Sequence, residues 1–264
     1  MRNKFLTALC LAVLFSLASS SFALAAAKLD AYRQMMQSRE CTIRFESVTP
    51  PERLHNKDKK TISYEWDHDA MIAAPQYVNL GYQGVLVLHG ADKYEEMNYE
   101  DYSKCRLTKG DKEYVFYRRK NKDKVKYSSS DGEGKVSAQT IDEEARLVYG
   151  ESFCDGDVTR LFQLLLPADQ KPAGAPQYEF VGQGNLPDGQ SYEDYRCGDG
   201  GTLEAVRFYF ADGALSRIAS MSYWQQKDGT LKGRKCIVKV KTFSSIPDEK
   251  LLTLPKDLKD VTKK

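Results

Sequence analysis

Alternation with a period of two dominates this chain. From Cys41 onward, short runs rich in Tyr, Val, Phe and Ile place apolar and polar residues in turn. Such a pattern describes a strand with two unlike faces, and these residue types suit a pleated, half-buried surface. It predicts strands at Cys41–Val48, Thr61–His68, Gly84–His89, Tyr94–Tyr99, Lys104–Leu107 and Tyr114–Arg118. Further strands are predicted at Val125–Ser129, Gln177–Val181, Tyr192–Cys197, Ala205–Phe210, Ser216–Trp224 and Arg234–Phe243. Turns such as Lys109-Gly110-Asp111 and Ala211-Asp212-Gly213 are short enough to close antiparallel hairpins. The expected fold class is mainly β, a curved antiparallel sheet with a few helices covering its concave side.

Helical patterning is confined to three places. Ala27 to Ser38 carries Leu29, Tyr32, Met35 and Met36 at helical spacing. Thr140 and Glu143 form a capping box for Ile141–Tyr149, and Val158–Leu166 stops at Pro167. Strands of the same style resume after the proline-containing stretch 167–176, so one domain is expected over 26–264.

The first residues read as a secretory signal peptide, 1–25. Arg2 and Lys4 precede an uncharged apolar core, Phe5 to Ala18, which ends in the small-residue exits Ala23-Leu24-Ala25 and Ala25-Ala26-Ala27. The expected location is therefore periplasmic or otherwise extracytoplasmic. The 264-residue chain has 39 Lys and Arg against 37 Asp and Glu, and removing Arg2 and Lys4 leaves 37 of each sign. A neutral mature chain argues against nucleic acid, whose phosphates call for a basic excess. Five cysteines remain: Cys41, Cys105, Cys154, Cys197 and Cys236. They read either as two bridges and one thiol, in keeping with export, or as buried apolar thiols. No C-x-x-C pair points to zinc or redox chemistry.

Signatures of catalysis are missing from the sequence. It holds no G-x-S-x-G, H-E-x-x-H, G-x-x-x-x-G-K-[ST] or G-x-G-x-x-G. In Asp67-His68-Asp69 the histidine alternates with both acids and shares a strand face with neither. No enzyme activity, metal or cofactor is expected.

Two features rise above this background. Lys104 to Lys126 carries ten basic residues against three acidic ones, with Tyr114, Phe116 and Tyr117 interleaved. These charges read either as a solvated sheet face or as a docking patch for an anionic surface, such as lipid headgroups of a membrane or an acidic partner. Arg118, Arg119, Lys120 and Lys122 are the candidate docking residues. Secondly, Val85-Leu86-Val87-Leu88, Tyr114-Val115-Phe116-Tyr117 and Val206-Arg207-Phe208-Tyr209-Phe210 are apolar or aromatic at consecutive positions. A sheet with one wet face alternates more cleanly. Either helices cover the second face or it lines a cavity. The candidate lining residues are Val115, Tyr117, Val206, Phe208, Phe210, Met221 and Tyr223.

The order of these elements resembles the periplasmic lipoprotein-carrier (LolA-like) superfamily. The resemblance rests on a helix feeding a first strand at Tyr32–Val48, the strand–turn–strand Gly84–Tyr99, and the hairpin Lys109–Tyr117. It extends to Leu203–Asp212, Ile218–Gly229 and Lys235–Pro255. It implies an incomplete β-barrel lidded by helices, holding lipid or an acylated protein in an apolar trough. The alternative expectation is an envelope interaction module that docks through the basic hairpin and has no ligand cavity.

N-terminal sequencing of exported protein should find Ala26 or Lys28 as the first residue. Material that retains Met1 would contradict the signal-peptide reading.

Overall fold

The computed structural model describes residues 28–48, 82–121, 124–140, 165, 178–199, 202–225 and 231–262. Outside them lie the signal segment 1–25, the strand Thr61–His68 with Asp67-His68-Asp69, Cys154, and the helices Ile141–Tyr149 and Val158–Leu166 except for Leu165, which is buried in the first core. One helix, α1, spans 28–38. Strands β1 (Glu40–Val48), β2 (Gln83–His89), β3 (Asp92–Asn98), β4 (Tyr102–Lys109), β5 (Lys112–Asn121) and β6 (Lys124–Ser129) follow. Short strands β7 (Gly132–Glu133), β8 (Lys135–Val136) and β9 (Ala138–Thr140) come next. A second series comprises β10 (Glu179–Asn185), β11 (Ser191–Asp199), β12 (Thr202–Ala211), β13 (Ala214–Gln225) and β14 (Leu231–Ser244), and β15 (Lys259–Asp260) ends the described chain.

Two meanders share one sheet. Its order is β10-β11-β12-β13-β14-β1-β2-β3-β4-β5-β6-β7, with β9 beside β5. The end strands do not pair with each other, so the sheet is large, antiparallel and open. Turn chemistry makes the hairpins possible. Asp212 and Gly213 both have positive φ, 51° and 79°, which a two-residue turn with the right twist requires between β12 and β13.

Directly paired residues of an antiparallel ladder point to one face. Ile43, Leu86, Glu95, Arg106 and Val115 pair in succession from β1 to β5 and so share a face. Val238, Ile218, Phe208 and Glu193 do the same from β14 to β11, and β1 joins the two rows through Phe45 opposite Val240. We call this the helix face, because α1 lies on it. Leu29 and Met36 of α1 are buried against Cys41, Ile43, Phe45, Leu86, Leu88, Phe208 and Val238.

The opposite side carries a second core. Val87, Tyr94, Cys105, Leu107, Tyr114 and Phe116 are buried there with Val136, Leu252 and Leu258. Its cover is the segment after β14, which includes a 3-10 turn at Glu249–Leu252 and the parallel pair of β15 with β8. We call this the tail face. β2 is the strand where the cores overlap. Leu86 and Leu88 enter the first core, while Val87 enters the second with Val85 packed against it. Its four consecutive apolar residues therefore have two covers. Cys41 and Cys105 are buried thiols, one in each core.

Gly84 pairs with Phe45 across β1 and β2, and the Phe45 ring lies where a Gly84 side chain would be. A methyl group there would overlap the ring carbons. Gly84→Ala should lower stability by about 1–3 kcal/mol, the usual range for overpacking. Phe45→Leu in the same molecule should recover part of that loss in urea unfolding. Strict additivity of the two changes would show that ring and glycine are not coupled.

Candidate functional site

The apolar part of the helix face is the natural candidate for a ligand site. α1 presents Leu29, Tyr32, Met35 and Met36 to it, as helical spacing requires. The Tyr32 ring sits 5.0 Å from Phe243 and 6.4 Å from Phe210. Its hydroxyl accepts a hydrogen bond from the Leu215 N–H at 2.7 Å. Val206, Phe208 and Phe210 meet beneath this helix at 1%, 1% and 2% exposure. Among the described residues their surroundings are filled by protein rather than open.

The other candidate lining residues are not brought to that place. Val115 and Tyr117 lie on the same face of the sheet but on β5, and are half-buried. Between them and Phe208 stand β13, β14, β1, β2, β3 and β4. The face changes character on the way. Lys93 and Glu95 on β3 are buried there, with Lys93 Nζ 3.7 Å from Glu95 Oε1. Arg106 Nε approaches Glu95 at 3.7 Å and Glu113 at 3.5 Å. A charged lane thus interrupts the face between the apolar half and Val115, while Tyr117 connects back through the rings of Tyr102, Tyr99 and Tyr82.

Met221 and Tyr223 fall on the other face by register. Met221 pairs with Ala205 and Tyr223 with Leu203, alternating with the Ser220–Val206 pair. The cause is a bulge. Tyr209 pairs with Arg217 but Phe210 with Leu215, which leaves Ser216 as the extra residue and shifts the phase of β13. The side chains of Met221 and Tyr223 lie outside the described residues.

Sequence reasoning missed Glu193, which pairs directly with Phe208 on the helix face. It is buried, and Tyr195 donates its hydroxyl hydrogen to Glu193 Oε2 at 3.1 Å. The Tyr195 ring meets Phe208 and Phe180 edge-on, each at 5.6 Å. Burial raises the Glu193 carboxyl above its ordinary 4.5; the Tyr195 hydrogen bond and the charges of Arg33 and Lys28 oppose the rise, and Asp30 adds to it. The signal was present in the alternation of Ser191, Glu193 and Tyr195, a carboxylate at an inward position.

The tail face holds its polar groups in pairs. Arg207 clasps Asp194 through two bonds of 2.7 and 2.9 Å and lies 3.7 Å from the Tyr192 ring centre. Arg217 covers Tyr209 at 4.0 Å. At the β5 end, Tyr94 donates to Glu96 at 2.9 Å, and Arg118 bonds both Glu96 and Ser103. The docking patch is therefore split: Arg118 is spent on Glu96, while Arg119 projects from the helix face and Lys120 from the tail face, both exposed. Lys122 lies outside the described residues.

His89 gains a partner that spacing could not reveal. It stands opposite Glu40, with 2.8 Å between Nδ1 and Oε2, and this hydrogen bond raises the imidazole pKa. Among the described residues no group of three or more His, Cys, Asp or Glu is placed to hold a metal ion, and no helix is long and apolar enough to cross a membrane. No protein-family model, curated protein or solved structure matches this chain.

Glu193 yields a pH test. Its raised folded pKa means that the unfolded chain loses this proton first as pH rises past 4.5. Its contribution to stability therefore declines from there up to the folded pKa and then levels off. Glu193→Gln keeps an acceptor for Tyr195 and should gain on the wild type across that window in urea unfolding, ending at least as stable at neutral pH. A variant that falls progressively behind as pH rises would contradict the assignment.

Proposed function

We propose that this chain is a non-enzymatic binding protein of an extracytoplasmic compartment that holds lipid, or an acylated protein by its acyl chain, under α1. The observation that carries this reading is the closure of the broad apolar helix face. Residues of β12, β13, β14, β1 and β2 contribute to it, and the one helix among the described residues lies over them. Val206, Phe208 and Phe210 are its cargo contacts. Val115, beyond the charged lane, and Tyr117, on β5, are not.

Magnitudes allow an exchange of helix for cargo. The apolar side chains that α1 buries contribute about 1.5–3 kcal/mol each. An acyl chain contributes about 0.8 kcal/mol per buried CH₂, so roughly ten methylenes compensate for three or four such side chains. Met35 and Met36 suit a cover that repacks, since methionine adapts to irregular surfaces. Arg39, which follows α1, has φ of 53°, so the chain turns sharply there into β1. A second reading, an interaction module with a filled core, draws on the near-complete burial of Phe208.

Mass spectrometry of organic extracts from purified protein separates the two. The carrier reading expects acyl lipid in the extract, and a fatty acid should raise the melting temperature of delipidated protein. Saturation at a hundredfold excess over Kd corresponds to about 2.7 kcal/mol. Phe208→Ala should cost about 3–5 kcal/mol in the lipid-free state and abolish the fatty-acid shift. Lipid-free extracts together with an unmoved melting temperature would leave the filled-core module standing.

A further inference from the structure

Several cations of the described sheet are matched. Arg44 meets Asp248 at 2.8 Å, Lys109 meets Asp92 at 2.8 Å, Lys241 meets Glu46 at 2.8 Å, and Arg118 and Arg207 hold Glu96 and Asp194. At the open end of β4, β5 and β6 unpaired cations collect. Lys104, Arg119, Lys120 and Lys124 form no ion pair with any described residue, and the last three are exposed. Lys126 meets only the exposed Glu133, a pairing that water screens.

The β5–β6 hairpin also projects. β4 begins at Tyr102 opposite Arg119, so Lys120 and Asn121 at the end of β5 extend past it and pair with β6 alone. Beside this overhang a row of aromatic rings comes to the surface. Phe45, Tyr82, Tyr99, Tyr102 and Tyr117 follow one another at centroid distances of 6.1, 5.5, 4.8 and 6.4 Å. The row starts in the first core and reaches the surface at Tyr102, which is 39% exposed. Val125 is a second exposed apolar side chain on the same hairpin, at 47%.

We propose that this end of the sheet docks on an anionic lipid bilayer, with Arg119, Lys120 and Lys124 meeting headgroup phosphates and Tyr102 and Val125 entering the interface. Two observations favour a bilayer over a small anion or an acidic protein. Unmatched positive charge lies on both faces of a projecting strand pair, so it surrounds a protrusion rather than lining a pocket. Exposed apolar groups are interspersed with it, and tyrosine has the mixed character that suits the headgroup level. The inference holds for either reading of the function, since Arg119, Lys120, Lys124, Tyr102 and Val125 all lie outside the apolar half of the helix face.

The test uses purified exported protein and sedimentation with vesicles of phosphatidylcholine alone or mixed equally with phosphatidylglycerol. Wild type should bind the mixed vesicles, ignore the neutral ones, and release as salt rises from 0.1 M to 1 M and the screening length shrinks from about 10 Å to about 3 Å. Arg119→Glu, Lys120→Glu and Lys124→Glu together should weaken binding at least tenfold with an unchanged melting temperature. Tyr102→Ser should weaken it severalfold. Reversal of three exposed lysines elsewhere, Lys239, Lys250 and Lys256, makes the same change in net charge and should leave binding within twofold. Equal losses from both triple variants would reduce the effect to net charge and overturn the proposal. So would tighter binding to soluble polyglutamate than to the mixed vesicles, which would point to an acidic protein partner.

Discussion

Everything in this fold depends on the pairing of β1 with β14. Each meander could form from local hairpins, but neither has a complete core until β1 lies between β14 and β2. The contact is distant in sequence. Thr42 donates to the Ile246 carbonyl and accepts from the Asp248 N–H, partners 204 and 206 residues away. Loop-closure entropy grows only logarithmically with length, so this distance slows folding more than it weakens the folded state. What rewards the closure is the buried row Cys41, Ile43 and Phe45, which puts three side chains of one strand into the first core. The same junction fixes the exit of the tail, because Arg44 holds Asp248 just before the 3-10 turn.

A sheet built this way needs two covers on different faces. α1 covers the apolar half of one face, and the tail covers the opposite face of β2 to β5. Where the helix face runs on past β2, Lys93, Glu95, Arg106 and Glu113 take over from apolar residues. Buried ion pairs contribute little net stability, because desolvation offsets much of their attraction. Their effect here is to bound the apolar half, limiting the candidate cargo surface to the neighbourhood of α1. Glu193 stands near the other limit of that surface, on β11, a carboxyl whose raised pKa reports how dry its setting is.

The alternation of residues made the sheet legible, and the helical spacing of Leu29, Tyr32, Met35 and Met36 made α1 legible. Val85 to Leu88 correctly signalled two buried faces, but the sequence could not reveal that two different segments cover them. The tail shows why: Leu251, Leu252, Leu254 and Leu258 have no period of their own, and only the sheet gives them a common side. Period two also fails wherever a bulge intervenes. Ser216 inserts one residue, so counting forward from Leu215 assigns Arg217 to Tyr223 to the wrong face. Arg118 and Arg119 look equivalent in sequence, yet strand geometry sends one to Glu96 and the other to solvent. Charge matching of this kind depends on which strands become neighbours, and composition holds no record of it.

The central position of β14 has a consequence for the birth of the molecule. A polypeptide that leaves the ribosome or an export channel N-terminus first delivers β1 and β2 early and β14 among its last elements. Throughout that interval one margin of β1 offers unpaired backbone amides and carbonyls beside the apolar Cys41, Ile43 and Phe45. Such a margin is a template for strands of other molecules. Nascent copies crowded at one exit therefore compete for the place that β14 must eventually take. A chaperone that shields the β1 margin until synthesis ends would serve this protein better than one that accelerates hairpin formation.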